Sequence, residues 1–372
     1  MKIGISAVAA FKQPRTGVEE YTYQLIKHLL ALKKSSEYTF NLYCKDINDF
    51  YCRQLFPVLP ENFKVKRMGW PFPAWTQARL STEMLFKKPD LLFIPAHVLP
   101  VIHPRNSVVT VHGLEYEYYP ELYSKKHLLY LRLATKYSAK YAQKIIAVSE
   151  NTKKDLIKLY NADPDKIKVV YHGLDDGLDD KNKNSIPEKN NQKNLDYPYF
   201  LFLGRIETKK NVRGIIRAFD LLKEKYHLPH KLILAGLKGY GYKSIKSRIN
   251  SSRHKDDIIE KGYIKDDEKW QLLKNAEAFL FTSFYEGFGL PILEAQSVGC
   301  PVITSDISSM PEVAGDGALL VDPNKIEQIT QGMYKLIKDN EHKLNLTKKG
   351  YQNIKRFKWQ KCAEETLKVL VE

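Results

Sequence analysis

Two glutamates, Glu286 and Glu294, flank a glycine-rich turn in the segment Ser283-Phe284-Tyr285-Glu286-Gly287-Phe288-Gly289-Leu290-Pro291-Ile292-Leu293-Glu294-Ala295. An apolar run, Ala278–Thr282, ends just before it and reads as a strand. Gly287 and Gly289 let the chain turn tightly and expose N–H groups, and Pro291 fits the first position of a helix, where its missing N–H costs nothing. A glycine turn running into a helix N-terminus is a ready site for a diphosphate. Carboxylates on either side of it can bind sugar hydroxyls. The plainer reading is a strand–loop–helix joint with two surface acids, but the interleaving of glycines and proline favours the binding site.

A second segment, Leu203-Gly204-Arg205-Ile206-Glu207-Thr208-Lys209-Lys210-Asn211, also follows a strand, Tyr199–Leu203. A departing pyrophosphate gains negative charge, so fixed cations at Arg205 and Lys210 would assist departure, the first as a fork and the second as a point charge. Either could equally be a solvated loop cation in a basic protein. Near the start, Arg15-Thr16-Gly17-Val18-Glu19-Glu20 puts Gly17 directly before a helical pattern, where bare backbone could approach a phosphate. His112, in Val111-His112-Gly113, follows another strand and is a candidate to contact a transferred sugar or an acceptor, although most histidines are structural. Gly236-Leu237-Lys238-Gly239-Tyr240-Gly241 matches neither a dinucleotide fingerprint nor a P-loop. No D-x-D metal motif, H-E-x-x-H or nucleophile elbow occurs in these regions.

The elements that must carry these residues alternate. Strands are expected at 2–9, 39–44, 91–94, 107–111, 144–148 and 168–171, with helices at 18–32 and from the N-cap Ser149 to about 160. A second series holds strands at 199–203, 231–235, 278–282 and 301–304. Its helices are expected at 212–225, from about Pro291, and in a Lys-rich stretch to about 356, before a last helix after Trp359. Strand and helix in alternation predict parallel sheets covered on both faces. The stretch 176–197, rich in Asp, Lys and Asn, reads as a linker. The predicted organisation is α/β, with a first domain of residues 1–175 plus the final helix (about 357–372) and a second of residues 198–356. Such sheets bind ligands at the carboxyl ends of their strands, here facing across a cleft.

The chain has 372 residues, 43% of them hydrophobic and 27% charged, a globular mixture sufficient for two domains. Its N-terminus reads as a first strand rather than a signal peptide, because Phe11-Lys12-Gln13-Pro14 stands where a cleavage site should lie. The four cysteines are scattered, which excludes a C-x-x-C zinc site and fits a cytoplasmic protein. The net charge of +16 fits an anionic substrate or an anionic membrane surface, whereas no motif supports nucleic acid. The basic pairs Lys33-Lys34, Lys66-Arg67, Lys87-Lys88 and Lys125-Lys126 would suit peripheral contact with lipid headgroups.

Taken together, these segments resemble the family 4 ("group 1") retaining glycosyltransferases, which have the GT-B fold of two Rossmann-like domains. The likeness spans nearly the whole chain. It rests on Thr16-Gly17-Val18-Glu19, Gly204-Arg205 with Lys210-Asn211, Glu286 to Ala295, Gly299-Cys300-Pro301-Val302-Ile303 and Pro311-Glu312-Val313. The resemblance implies that Arg205 and Lys210 bind the donor diphosphate, Glu286 the transferred sugar and Glu294 the donor ribose. It also implies that backbone groups of Phe288, Gly289 and Leu290 hold sugar and phosphate, and that Gly17 approaches the phosphate. His112 matches a family histidine near the sugar, but Gly113 stands where many members carry Asp, which leaves its exact work open. Members need neither metal nor cofactor. The run Ser308 to Pro323 is most similar to mannosyltransferases of surface-polysaccharide assembly, favouring GDP-mannose over UDP-glucose or UDP-GlcNAc and a glycan or lipid-linked acceptor. The rival readings are a GT-B nucleotide-sugar epimerase and a non-catalytic nucleotide-sugar-binding protein.

Overall fold

A computed structural model describes residues 1–13, 15, 17–72, 74–174 and 195–372. Most of the expected linker, up to residue 194, lies outside the described residues, as does Thr16. The chain forms two compact units, Met1–Gly173 with Phe357–Glu372 and Leu174–Arg356.

The first unit is built on seven parallel strands: β1 (Lys2–Ser6), β2 (Thr39–Cys44), β3 (Phe63–Arg67), β4 (Leu91–Ile94), β5 (Ser107–Val111), β6 (Lys144–Ala147) and β7 (Ile167–Val169). Their order is β3-β2-β1-β4-β5-β6-β7. The second unit has β8 (Tyr199–Leu203), β9 (Lys231–Ala235), β10 (Ile258–Gly262), β11 (Ala278–Phe281), β12 (Val302–Ser305) and β13 (Leu319–Val321), in the order β10-β9-β8-β11-β12-β13. Central strands such as β5 and β8 are buried along their whole length, as sheets covered by helices on both faces require.

In each sheet the order runs outward from the first strand and then reverses beside the fourth. The reversal falls between β1 and β4 in one unit and between β8 and β11 in the other. At such a point the following loops leave in opposite directions and open a crevice above the strand ends. Helix Gly17–Ala31 follows β1, and the final helix, Trp359–Val371, packs with it into the first core through Trp359, Ala363, Leu367 and Leu370.

The sequence expectation holds for the central strands and for the N-cap Ser149, whose Oγ accepts from Thr152 N at 3.0 Å. The Lys-rich stretch is two helices, Ile326–Lys338 and Asn340–Asn353, broken where the Asp339 side chain caps the second by accepting from His342 N at 2.8 Å. Strands β3, β10 and β13 were not expected. Each lies at a sheet edge and is partly exposed; β3 and β10 carry charged residues within the strand, and β13 is apolar but only three residues long. All four cysteines are buried free thiols. No helix among the described residues is long and apolar enough to cross a membrane.

Candidate active site

In the second unit the loop after β8 is laid down on the loop after β9. Gly204 N donates to Ala235 O at 3.0 Å, Ile206 N to Leu237 O at 2.8 Å and Gly239 N to Ile206 O at 2.9 Å. The approach is so close that a Cβ on Gly236, whose φ is +144°, would sit 1.8 Å from the Gly204 carbonyl oxygen. The Gly236–Gly241 run that matched no phosphate-binding pattern is therefore the platform for the Arg205–Lys210 loop. A 3-10 turn, Thr208–Lys210, then ends at Asn211, which adopts φ +55° and is fixed by its Nδ2 donating to Pro323 O at 2.7 Å.

This geometry carries Lys210 across the reversal point to the loop after β11. Its Nζ lies 2.6 Å from Glu286 Oε1 and 5.0 Å from the centroid of the Phe281 ring. The two loops are also joined by Phe284 N donating to Lys209 O at 2.9 Å. The side chains of Lys210 and Glu286 are only 15% and 13% exposed. Burial is the largest influence on the Glu286 carboxyl and pushes it up, but Lys210 and then Lys209 outweigh it, so the group is held below the ordinary carboxylate range.

The Glu286 backbone is pinned from the loop after β12. Its N–H donates to Ser308 Oγ at 3.2 Å, and its carbonyl accepts from the Oγ atoms of Ser308 and Ser309, both at 2.8 Å. Ser309 Oγ also reaches Phe288 O at 2.5 Å. Neither serine had been singled out for this work; both stand in the run compared with mannosyltransferases.

Gly289, at φ +126°, turns the chain into helix Leu290–Ser297, with Pro291 in its first turn and no side chain capping its N-terminus. Uncapped first-turn N–H groups can receive an anion. Glu294, within the helix, accepts from Lys269 Nζ at 3.0 Å. Lys269 lies on helix Asp266–Asn275, contacts the Trp270 ring, and also pairs with Asp266 at 3.5 Å. Burial alone would lower its pKa, yet Glu294 and Asp266 together hold it above the ordinary lysine value. An isolated lysine so far from Glu294 in the chain carried no spacing signal. Arg205, by contrast, is exposed and has no ion pair among the described residues.

In the first unit Gly17 is the first residue of its helix, and a Cβ there would meet nothing within 4 Å. Packing within the unit therefore does not require glycine at this position. His112 Nε2 lies 3.0 Å from Pro95 O. Its ring packs at centroid distances of 4.7 Å from Tyr21, 5.6 Å from His97 and 5.5 Å from His172. His97 and His172 each stand three residues beyond a strand, β4 and β7. That placement was the only signal that could have found them. Burial, reinforced by His172 and His97, holds His112 well below the usual histidine range despite the bond to Pro95. Burial takes His172 down to about 3. His112 is thus neutral near pH 7, donating through Nε2 and leaving Nδ1 as an acceptor. Among the described residues no group of three His, Cys, Asp or Glu side chains could hold a metal ion.

Two α/β units, each on a parallel sheet whose order reverses beside its fourth strand, define the GT-B class of fold. Residues 15–178 match the model of Glycosyltransferase Family 4, and residues 183–353 match that of Glycosyl transferases group 1. The chain belongs to this glycosyltransferase family. It is 27% identical to the O-antigen chain mannosyltransferase B of Escherichia coli, over 99% of this chain and 98% of that protein. It is 28% identical to the O-antigen chain mannosyltransferase RfbU of Salmonella typhimurium, over 83% and 84% respectively. Its fold is similar to that of the Anabaena protein HepE, solved in complex with UDP-glucose, with a TM-score of 0.70, 16% identity and 99% of each chain covered.

Proposed function

We propose that this glycosyltransferase moves a hexose, mannose from GDP-mannose, onto a glycan or lipid-linked acceptor with retention of configuration and without a metal ion. The observation that carries the reading is the Lys210–Glu286 pair at the reversal point of the second sheet, beside the uncapped N-terminus of helix Leu290–Ser297. In this reading the diphosphate takes its place at that N-terminus, with Arg205 and Lys210 supplying positive charge. Glu286 accepts hydrogen bonds from the transferred sugar and Glu294 from the ribose. Gly17, where a Cβ would meet nothing, leaves its backbone open to a phosphate, and neutral His112 binds a sugar or acceptor hydroxyl.

The sugar C1–O bond to the diphosphate breaks, the acceptor oxygen bonds to C1, and the acceptor's proton passes to the departing phosphate oxygen. Positive charge accumulates on the sugar as the bond opens. The Glu286 carboxylate is tied to Lys210, which disfavours it as a covalent nucleophile and supports front-face attack. Exposed Arg205 and part-buried Lys210 meet the negative charge that grows on the leaving group.

Full-length similarity to a named mannosyltransferase supports mannose and a surface polysaccharide as the destination. A UDP-sugar donor is the second reading, favoured by the likeness to the UDP-glucose complex. Assembly of such a polymer at the cytoplasmic side of a membrane fits the net charge of +16. A thermal-shift panel tests the donor: GDP-mannose at a hundred times its dissociation constant should stabilise the folded chain by about 2.7 kcal/mol. A shift with UDP-sugars and none with GDP-mannose would reverse the assignment of nucleotide. No shift with any nucleotide sugar would remove the donor site from this segment.

A further inference from the structure

Helix Lys125–Tyr141 in the first unit carries five basic residues, Lys125, Lys126, Arg132, Lys136 and Lys140, and no acidic one. Its buried face is formed by Ala134, Thr135, Ser138 and Ala139. On the opposite face Leu129 and Leu133 are each 59% exposed, one turn apart, where the period of the helix would place polar residues. Lys126 lies one turn before this pair of leucines, and Lys136 and Lys140 follow it along the same stripe. Arg132 is paired with Glu117 at 2.8 Å, but none of the four lysines has an ion pair among the described residues.

The apolar surface extends sideways. Tyr130 and Tyr141 are exposed, and the Tyr137 hydroxyl donates to Val101 O at 2.9 Å, bringing exposed Val101 and Ile102 beside the helix. That loop is held firmly, because Leu99 N donates to Ser138 Oγ at 3.1 Å and Ser138 Oγ to His97 O at 2.8 Å.

We propose that the exposed face of helix Lys125–Tyr141, with Val101 and Ile102, is the surface by which the chain docks on an anionic phospholipid bilayer. Leucines and tyrosines enter the headgroup boundary, while the lysine stems lie along the apolar surface and their ammonium groups reach the phosphates. The charge pattern selects this occupant. A second copy would set the same lysines against one another, which is repulsive. Nucleic acid would gain from the lysines but leave Leu129 and Leu133 in water. The proposal rests on the transferase reading only for its biological sense, since docking needs neither donor nor acceptor.

The test is co-sedimentation of the full chain with extruded vesicles, either phosphatidylcholine alone or with roughly one-third phosphatidylglycerol. Binding to the anionic vesicles is expected, at least tenfold tighter than to the neutral ones and weakened by salt. The double variant K136Q/K140Q should lose about twenty-five-fold, at roughly fivefold per lysine. L129Q/L133Q should lose on the order of tenfold or more at any salt concentration. Both pairs are exposed, so unchanged thermal midpoints and unchanged donor-induced shifts would show intact folding and keep this test separate from that of the donor. Equal binding to both vesicle types, or binding undiminished in either variant, overturns the assignment. So does lipid-free self-association abolished by L129Q/L133Q, or tighter binding of an RNA homopolymer through the same lysines.

Discussion

Replacing Lys210 by Ala would leave the Glu286 carboxylate largely buried beside Lys209, with its closest cation gone. Breaking one side of a fully buried pair costs about 3–5 kcal/mol. Here both side chains keep some exposure and Lys209 remains, so a loss of roughly 2 kcal/mol is expected at neutral pH. In a unit of this size that lowers the thermal midpoint by about 4–8 °C. Burial would then dominate at Glu286 and raise its carboxyl pKa, so the deficit of K210A should shrink as pH falls and the group takes up a proton. Removing the orphaned carboxylate as well, in K210A/E286A, should recover about half of the lost stability. Turnover behaves differently: K210A, E286A and the double variant should all fall by about two orders of magnitude or more, because charge on the leaving group and contact with the sugar are not restored. Scanning calorimetry of the four proteins, with release of free nucleoside diphosphate as the activity measure, separates the two effects. A double variant no more stable than K210A would refute the account of the pair. K210A turnover within a few-fold of wild type would remove Lys210 from the chemistry.

Gly236→Ala should cost at least about 3 kcal/mol or prevent soluble expression, since its Cβ would collide with the Gly204 carbonyl at a φ of +144°; a midpoint within a degree of wild type would contradict the packing of the two loops. Lys269→Ala should weaken donor binding by roughly fivefold, as Glu294 loses a partly exposed partner, and unchanged affinity by isothermal calorimetry would free Glu294 from that role. Acid should destabilise the first unit. His172 titrates near 3 when folded and near its ordinary 6.5 when unfolded, so its contribution is complete above that value and is lost as pH falls. Denaturant melts at pH 5 should show at least about 2 kcal/mol less stability than at pH 7.5, buried His112 adding to the loss, with His172→Phe reducing the difference; a pH-independent melt would count against a buried neutral ring.

The central strands were legible because a strand buried on both faces must be apolar throughout. Tyr199–Leu203, Lys231–Ala235 and Leu91–Ile94 announce themselves without reference to anything distant in the chain. Edge strands obey another rule. Phe63–Arg67, with lysines at 64 and 66, meets water on its open side and so carries no continuous run. Helix Lys125–Tyr141 hid for a related reason, since its exposed leucines blur the polar face that a periodicity reading expects. If that face meets lipid, the blurred pattern is itself the functional signal.

The site was legible as parts but not as pairs. Glycine turns and helix starts are local, so Gly289, Pro291 and the loop after β8 could be placed by residue type alone. The contact of Lys210 with Glu286 depends on strand order, which brings β8 beside β11 across a long stretch of chain, and that of Lys269 with Glu294 depends on how the helices before and after β11 pack. This pairing alters the chemistry inferred from composition. Lys210 is not a spare cation awaiting a diphosphate, because its charge already compensates the carboxylate beside it. Exposed Arg205 is the cation with charge to offer at the outset. In the proposed reading, an arriving diphosphate would share Lys210 with Glu286, and sugar hydroxyls satisfying Glu286 would allow that sharing. Nucleotide alone should therefore bind less tightly than nucleotide sugar, and E286A should narrow the gap by strengthening the binding of free nucleoside diphosphate. Calorimetric titration of both ligands into wild type and E286A decides it: equal preference in the two proteins would show that Lys210 and Glu286 act independently.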